Sequence, residues 1–250
     1  MSTEKEQEKK SVYGRMMDRC PILFTQRHWP MTQTCMCWGV DCGEGWSGPL
    51  MELCTELEML NLTEGKRIGF EIQAQQIKQK YGTLRFYYTV RQIVPWWRRI
   101  ISAPFKWLSL GNPEATGIER RVGDMIAHSC YAISSRIQYG SWDKQDRMLV
   151  IIEAIDNYVE KRVRECEEAC YNVCEDCGRS FMYNPRCETL GWISYICPEC
   201  AKKNKVHYVY NLTDKEKAYF ERCNSEECKR ILENVGKELD SDGNPVEERK

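Results

Sequence analysis

Two cysteine pairs in the last third of the chain have the spacing of a metal centre. The pairs are Cys174 with Cys177 and Cys197 with Cys200, and residues 178–196 lie between them. A Cys-x2-Cys segment folds into a turn that directs two thiolates at one ion, and two such turns complete a tetrahedron. Thiolates favour Zn2+ over hard cations, and four of them leave no open position for a substrate. The spacing therefore predicts a structural Zn2+ site; four buried free cysteines are the alternative.

A second group of candidate ligands lies in the N-terminal part of the chain. Its members are His28, Cys35, Cys37 and Cys42. A Cys-x-Cys pair is less diagnostic than Cys-x2-Cys, and the spacing fixes no fourth ligand. The group is a candidate second metal site, but we favour cysteines that pack as small apolar side chains beneath Trp38 and Trp46.

The chain has 15 cysteines among its 250 residues. Its first ten residues are charged and contain no apolar segment of a secretory signal, so we expect reduced thiols and metal ligands rather than disulfides. Cys166 and Cys170 stand one helical turn apart. They could join a metal site or pack on the apolar face of a helix.

Groups suited to catalysis are few. The three histidines, His28, His128 and His207, lie outside every recognised catalytic motif, and no phosphate-binding glycine loop is present. A metal-dependent nuclease could use paired carboxylates beside a lysine. The residues available for it are Asp41, Glu44 and Glu71, with Lys78 or Lys80. Carboxylates on turns and strand faces are usually only solvated, and we therefore predict that the protein is not an enzyme.

The remaining sequence predicts an α+β fold, in which amphipathic helices surround a small antiparallel hairpin or sheet. Residues 68–74 and 83–90 have the alternation and β-branched content of paired strands that turn at Tyr81-Gly82. Helices are expected at 49–60, 118–137 and 144–171. Thr213 and Glu216 form a capping box that opens a helix of the C-terminal tail, and Ser225 is a second candidate cap.

We divide the chain from the sequence into four segments. Residues 1–92 form an α+β domain with a Cys/Trp-rich loop, and 93–172 hold a Trp-rich segment and a helical insertion. Residues 173–205 form a zinc-ribbon-like module, and 206–250 a helical tail. Residues 1–10 are expected to be a solvated tail and 239–250 to fray.

Residues 93–110 combine tryptophans with cations, the residue types that dominate binding hot spots. The candidate partner-binding residues are Trp96, Trp97, Arg98, Arg99 and Trp107. The same composition is found in segments that bind membrane surfaces, although Pro95 and Pro104 are expected to interrupt a helix here. The adjoining helices carry enough apolar surface to predict a homo-oligomer or a partner complex. No run of 18 uncharged apolar residues exists, which argues against a membrane span.

The charge of the chain gives no general sign of nucleic-acid binding. Lys and Arg number 36 against 37 Asp and Glu, a formal net charge of -1. Residues 173–210 hold five cations and four acids, a net of +1, whereas phosphate contacts need clustered cations. Binding of nucleic acid through the cysteine module, with Lys202, Lys203 and Lys205 as a local patch, stays an alternative.

Residues 34–46, TCMCWGVDCGEGW, resemble a signature of uncharacterised phage and prophage proteins, in which a CMCWG…CGDGW stretch precedes a leucine-rich helix. The resemblance continues in residues 76–87, which are similar to a QxKxKFGxLRFY motif, and in the closing Cys-x2-Cys pairs. It covers about residues 20–90 and 160–202, and this chain departs from it by an insertion at about 91–160 and by its tail. The family supplies no established catalytic residues.

The resemblance implies an accessory protein acting in the cytoplasm of an infected bacterium. With the closed metal site, it leads us to expect a non-enzymatic zinc-binding protein that binds a host protein complex. Inhibition of a host anti-phage nuclease system is the version we favour, on the phage setting alone. A nucleic-acid-binding accessory protein and a metal-dependent nuclease are the alternatives.

Overall fold

The computed structural model describes residues 11–108, 117–223 and 225–246. It has the predicted α+β composition, with helices around two small sheets. The chain divides into two compact units. Unit 1 comprises Met1–Asn61, Ile72–Thr89 and Val159–Lys250, and unit 2 comprises Leu62–Glu71 and Val90–Tyr158. The four-segment division made from the sequence stays a prediction, and its tail 1–10 lies outside the described residues.

The helices and strands are numbered in chain order. The α-helices of two or more turns are α1 (Val12–Arg19), α2 (Ser47–Leu60), α3 (Trp96–Leu108), α4 (Gly117–Tyr139), α5 (Trp142–Tyr171), α6 (Pro198–Asn204), α7 (Asp214–Arg222) and α8 (Glu226–Glu233). The strands are β1 (Val40–Asp41), β2 (Phe70–Lys80), β3 (Thr83–Gln92), β4 (Cys187–Thr189), β5 (Tyr195–Ile196), β6 (Tyr208–Tyr210) and β7 (Glu238–Leu239). Short helical turns also occur at Thr25–His28, Met36–Trp38, Glu44–Trp46, Asn61–Gly65 and Lys66–Ile68.

The first sheet has the strand order β1-β2-β3. The predicted turn is confirmed: Tyr81 and Gly82 have φ values of 52° and 72°, the left-handed pair that a two-residue hairpin turn requires. β1 lies parallel to β2, with Val40 opposite Ile77. β2 runs six residues beyond the predicted end at residue 74, through QQIKQK. Glutamine and lysine favour strands weakly, but pairing on both sides of β2 overrides that preference.

The second sheet belongs to the C-terminal part of unit 1 and has the order β5-β4-β6-β7. The capping box at the start of α7 is confirmed, because Thr213 N donates to Glu216 Oε2 at 2.8 Å and Glu216 N donates to Thr213 Oγ1 at 3.4 Å. Ser225 caps α8 as predicted. The expectation that the chain frays from residue 239 is wrong up to residue 246. Asp240 closes a turn there, accepting from Asn244 N at 2.9 Å.

Unit 2 contains α3, α4 and the first part of α5. The predicted interruption at Pro104 is wrong, because α3 continues through it. A proline removes one backbone hydrogen bond from a helix. Packing of α3 against α4 compensates, since Gln138 Nε2 donates to Ser102 Oγ at 2.7 Å. Within the described parts of the chain, no helix has both the length and the apolar character needed to cross a bilayer.

Candidate metal centre

The four predicted ligands converge on one point. The Sγ atoms of Cys174, Cys177, Cys197 and Cys200 all lie within 4.8 Å of one another. Three of the side chains are buried, and that of Cys177 is exposed. The arrangement can hold one metal ion by four sulfur atoms.

Each cysteine pair is held by a tight turn. In the first turn, Cys174 N donates to the backbone oxygen of Arg179 and Gly178 N donates to Cys174 O, both at 2.8 Å. Gly178 has a φ of 74°. Glycine adopts this left-handed conformation without strain. In the second, Cys197 precedes α6, with Pro198 in the first turn, where a proline loses no helical hydrogen bond. Cys197 N also donates to Cys174 Sγ at 3.2 Å, which joins the two turns.

The thiols of Cys174, Cys197 and Cys200 differ in pKa. Hydrogen bonds from the thiols of Cys174, Cys200 and Cys177 lower the pKa of Cys197 to about 5. The hydrogen bond that Cys174 makes to Cys197, together with burial, raises the pKa of Cys174. Burial raises the pKa of Cys200 to about 12. Without a metal, Cys197 is therefore ionised at neutral pH while Cys174 and Cys200 keep their protons, and a bound cation would replace those protons.

The glycine-rich end of the 34–46 motif packs against the first cysteine turn and is hydrogen-bonded to it. Gly45 N donates to the backbone oxygen of Glu175 at 2.7 Å, and Gly43 N donates to its Oε1 at 3.2 Å. Trp46 is fully buried, and its Nε1 donates to Val173 O at 3.4 Å. Two segments about 130 residues apart in sequence thus form one structure around the metal centre.

The approach of these backbones leaves no room for a side chain. A Cβ on Gly45 would lie 2.3 Å from Cys174 O and 2.4 Å from Gly178 N. A Cβ on Gly43 would lie 2.4 Å from Glu175 O. The two glycines of CGEGW are therefore required for contact with the metal-binding turn.

Glu175, between the first two ligands, was missed by the sequence analysis. Its side chain accepts from Gly43 N and from the hydroxyl of Ser194. Burial raises its pKa. The Cys-x2-Cys pattern singles out the cysteines and not the residues between them, so no local signal indicated this role.

The far end of the β2–β3 hairpin also supports the cysteine module. Trp192 Nε1 donates to Gln79 Oε1 at 3.0 Å, and Gln79 Nε2 donates to Ile193 O. A Cβ on Gly82 would meet the ring of Tyr195 at 2.6 Å. The module is thus fixed to the first sheet by side chains and by close backbone packing.

The candidate second metal group is not brought together. Among the residues that the structure describes, the four cysteines above are the only set of three or more ligand-type residues close enough to hold an ion. Cys42 Sγ donates to Tyr13 Oη at 3.3 Å, Cys37 Sγ donates to Thr34 O at 3.2 Å, and Cys35 is exposed. His28 Nε2 accepts from Arg27 Nε at 2.7 Å. Trp46 is buried as expected, whereas Trp38 is exposed and covers no cysteine core.

Cys166 and Cys170 follow the packing alternative, because both are buried on α5. A hydrogen bond to Cys166, followed by burial, raises the pKa of Cys170. Burial likewise raises the pKa of nearby Cys42 to about 12. The thiols of Cys170 and Cys42 are therefore protonated at neutral pH, which makes them poor nucleophiles.

The carboxylates considered for a nuclease do not form a metal-binding group within the described chain. Asp41 and Glu44 are exposed in unit 1, and Glu71 pairs with Arg91 in unit 2 at 3.1 Å. Of the histidines, His207 Nδ1 lies 3.0 Å from Glu238 Oε1 in an exposed pair, and His128 is exposed on α4. Four of these groups are thus exposed, and Glu71 is a half-buried member of an ion pair.

The five candidate partner-binding residues all fall on α3. The side chains of Trp97, Arg99 and Trp107 are exposed, and Arg98 lies over the Trp97 ring at 5.1 Å from its centroid. The side chain of Trp96 lies outside the described residues. The helix therefore presents large apolar groups to solvent.

Comparison of the chain with family models, with curated proteins and with solved structures gives no match. The resemblance to phage and prophage proteins therefore stays a prediction. We base the function on the metal centre and on the exposed surfaces.

Proposed function

We propose that this chain is a phage-encoded, non-enzymatic zinc protein that binds a host protein complex, with inhibition of an anti-phage nuclease system as its role in the infected cell. The observation that supports it best is the closed set of four cysteines, whose metal would have no position left for water or substrate. The sequence resemblance supplies the phage setting and the host cytoplasm. Stoichiometric binding, rather than turnover, is the expected mode of action.

Zinc fits the donor set. Thiolates favour Zn2+ over Mg2+ and Ca2+, which take oxygen ligands. A Zn–S bond of about 2.3 Å implies a tetrahedron with an edge of about 3.8 Å. The Sγ atoms of Cys177 and Cys197 lie 3.7 Å apart, close to that edge. The ion would hold the two cysteine turns together and replace the thiol protons, which is a structural role.

Two exposed apolar surfaces are available for recognition. One is the face of α3 in unit 2. The other lies in unit 1 on the loop that joins β4 to β5, where Leu190 and Trp192 are exposed. Trp192 is held by its bond to Gln79, so its ring is offered to a partner in a fixed orientation. Preorganised aromatic side chains lose little entropy on binding.

Nucleic-acid binding by the cysteine module is the weaker alternative. Of its five cations, Arg186 is buried against Glu216, Arg179 pairs with Glu199, and Lys202 pairs with Asp242. Lys203 and Lys205 remain as an exposed pair. Two clustered cations would neutralise few phosphates.

The test is a titration of the purified protein against the host nuclease system in a DNA-protection assay. Protection should saturate near one molecule per target subunit. Trp192→Ala should weaken protection at least tenfold, because exposed tryptophans are frequent hot spots. Leu62→Ala removes an exposed apolar side chain of unit 2 and serves as the matched control. Protection at far below one molecule per target, lost on changing Asp41, Glu44 and Glu71 together, would instead reveal an enzyme.

A further inference from the structure

The helix α3 packs with its polar side toward the rest of unit 2. Ser102 is 0% exposed, accepts from Gln138 Nε2 and lies against Ser134, whose Oγ donates to Ser102 O at 3.5 Å. On the same side, Arg98 Nη1 donates to Gln138 O at 3.3 Å. Small hydroxyl side chains and an amide thus lie in the contact between α3 and α4. Helices of water-soluble proteins normally bury their apolar side instead.

The apolar side of α3 faces outward. At about 100° per residue, five of its apolar side chains fall within an arc of about 120°, whereas half-buried Phe105 lies outside that arc. This outward stripe consists of Trp97, Ile100, Ile101, Trp107 and Leu108, all exposed. Ile100 is 62% and Trp107 73% exposed. The helix therefore has inverted polarity, and its packing through small polar groups resembles that of helices whose surroundings are apolar.

A basic cleft borders the outward stripe. It measures about 500 Å3 and is lined by α3, the C-terminal end of α4, the last two residues of β3 and Val94. Of the eight lining residues that the structure describes, three are cationic and none is acidic; the cations are Arg91, Arg99 and Lys106. Glu71 pairs with Arg91 from outside the lining. Within α3 itself the sequence has three cations and no acidic residue.

We propose that α3 binds the surface of an anionic phospholipid bilayer, with the outward stripe at the boundary of headgroups and acyl chains and the basic cleft at the headgroup phosphates. The positive charges of the cleft lie beside the stripe and complement an anionic surface. Tryptophans near both ends of the stripe, with Ile100 and Ile101 between them, suit the interfacial region. The helix is 13 residues long, which suits it to lie on a bilayer and not to span one. This binding goes beyond the proposed function, because it assigns a lipid partner to unit 2 and requires no host protein.

The experiment is co-sedimentation of the full-length zinc-loaded protein with vesicles. One set is pure phosphatidylcholine, and the other contains roughly one-third phosphatidylserine, in salt of about 0.1 M. The wild type should bind the anionic vesicles at least tenfold more strongly than the neutral ones. A Trp107→Ser, Ile100→Ser variant should lose at least tenfold in binding. Trp38→Ser, which removes an exposed tryptophan of unit 1, should bind as the wild type does.

The cleft is tested separately. Arg99→Gln with Lys106→Gln should reduce the preference for anionic vesicles by about fivefold per cation. Inorganic phosphate should not compete at concentrations that leave the ionic strength unchanged; competition would mean that the cleft binds free phosphate and would overturn the lipid assignment. Zinc content and circular dichroism must match the wild type in every variant. A stripe variant that fails this check is replaced by Trp107→Gln alone, and a failed cleft variant by Arg99→Gln alone.

Two further results would overturn the proposal. One is that the wild type binds neutral and anionic vesicles equally and that the stripe variant binds both as strongly as the wild type does. The other is a light-scattering result in which the wild type is a dimer and the stripe variant a monomer, while neither protein binds vesicles. The stripe would then join two copies of the chain. Neither result bears on DNA protection by the unit 1 surface, so the two proposals can fail independently.

Discussion

Arg186 Nη2 donates to Glu216 Oε1 at 2.8 Å, and both side chains are buried. The guanidinium also lies against three aromatic rings, with centroids 4.0 to 5.2 Å from its Cζ: Tyr171, Phe181 and Tyr195. Glu216 closes the capping box of α7 as well. This ion pair therefore joins the end of α5, the cysteine module and the C-terminal helices. The Nε and Nη1 atoms of Arg186 have no hydrogen-bond partner, so the aromatic rings supply the rest of its environment.

Removal of the arginine alone should be strongly destabilising. Arg186→Met keeps much of the side-chain volume but leaves Glu216 buried without its cation, which costs roughly 3–5 kcal/mol of unfolding free energy. Adding Glu216→Gln should recover part of the loss, since glutamine can still close the capping box. Urea denaturation of the two single variants and the double variant measures the coupling. Purely additive losses would mean that the pair does not act as a unit.

The contact of Gly45 with the first cysteine turn predicts that alanine substitutions at Gly45 and at Gly48 have different effects on stability. Gly45→Ala places a Cβ 2.3 Å from Cys174 O and should lower the free energy of unfolding by roughly 1–3 kcal/mol. The variant should also lose its metal to a chelator faster than the wild type does. Gly48→Ala, in the first turn of α2, meets nothing within 4 Å and should be neutral or stabilising by up to about 1 kcal/mol. Denaturant midpoints and chelator kinetics provide the measurements. Equal behaviour of the two variants would refute the steric role of Gly45.

One zinc ion per chain is expected in elemental analysis of the purified protein. Structural sites of this type have apparent binding energies of about 10–16 kcal/mol. Cys177→Ser should therefore lower the zinc content and unfold the module, whereas Cys35→Ser, at an exposed thiol outside the cluster, should leave the content at one. Purified protein without zinc would contradict the assignment. A content near two would indicate that the His28, Cys35, Cys37 and Cys42 group also binds metal.

Zinc affinity should fall as the pH falls. In the metal-free centre the pKa of Cys200 is about 12 and that of Cys174 is raised, so at least these two thiols must release protons when the ion binds. Cys197, with a pKa of about 5, is already ionised at neutral pH. The release of at least two protons corresponds to a change in affinity of at least about 100-fold per pH unit between pH 6 and 8. Competition titrations with a chromophoric chelator measure the slope, and a pH-independent affinity would contradict this distribution of protons.

The sequence by itself identified the features that depend on neighbouring residues. The Cys-x2-Cys pairs, the Tyr81-Gly82 turn and the Thr213–Glu216 capping box each involve groups at most three residues apart, so their chemistry is readable from spacing. The pairing of the two cysteine turns followed from the tetrahedral demand of one ion. The α+β composition followed from the periodicity of the longer segments.

Only the tertiary structure decided the relationships between distant segments. The contact of Gly45 with Glu175 and the burial of Arg186 against Glu216 depend on packing between parts of the chain that no local pattern links. The sequence predicted an interruption by proline in residues 93–110, so it showed neither the continuous helix α3 nor which of its sides faces solvent. Amphipathicity states only that the two faces differ, and it is the polar contact of Ser102 with Gln138 that turns the tryptophans outward.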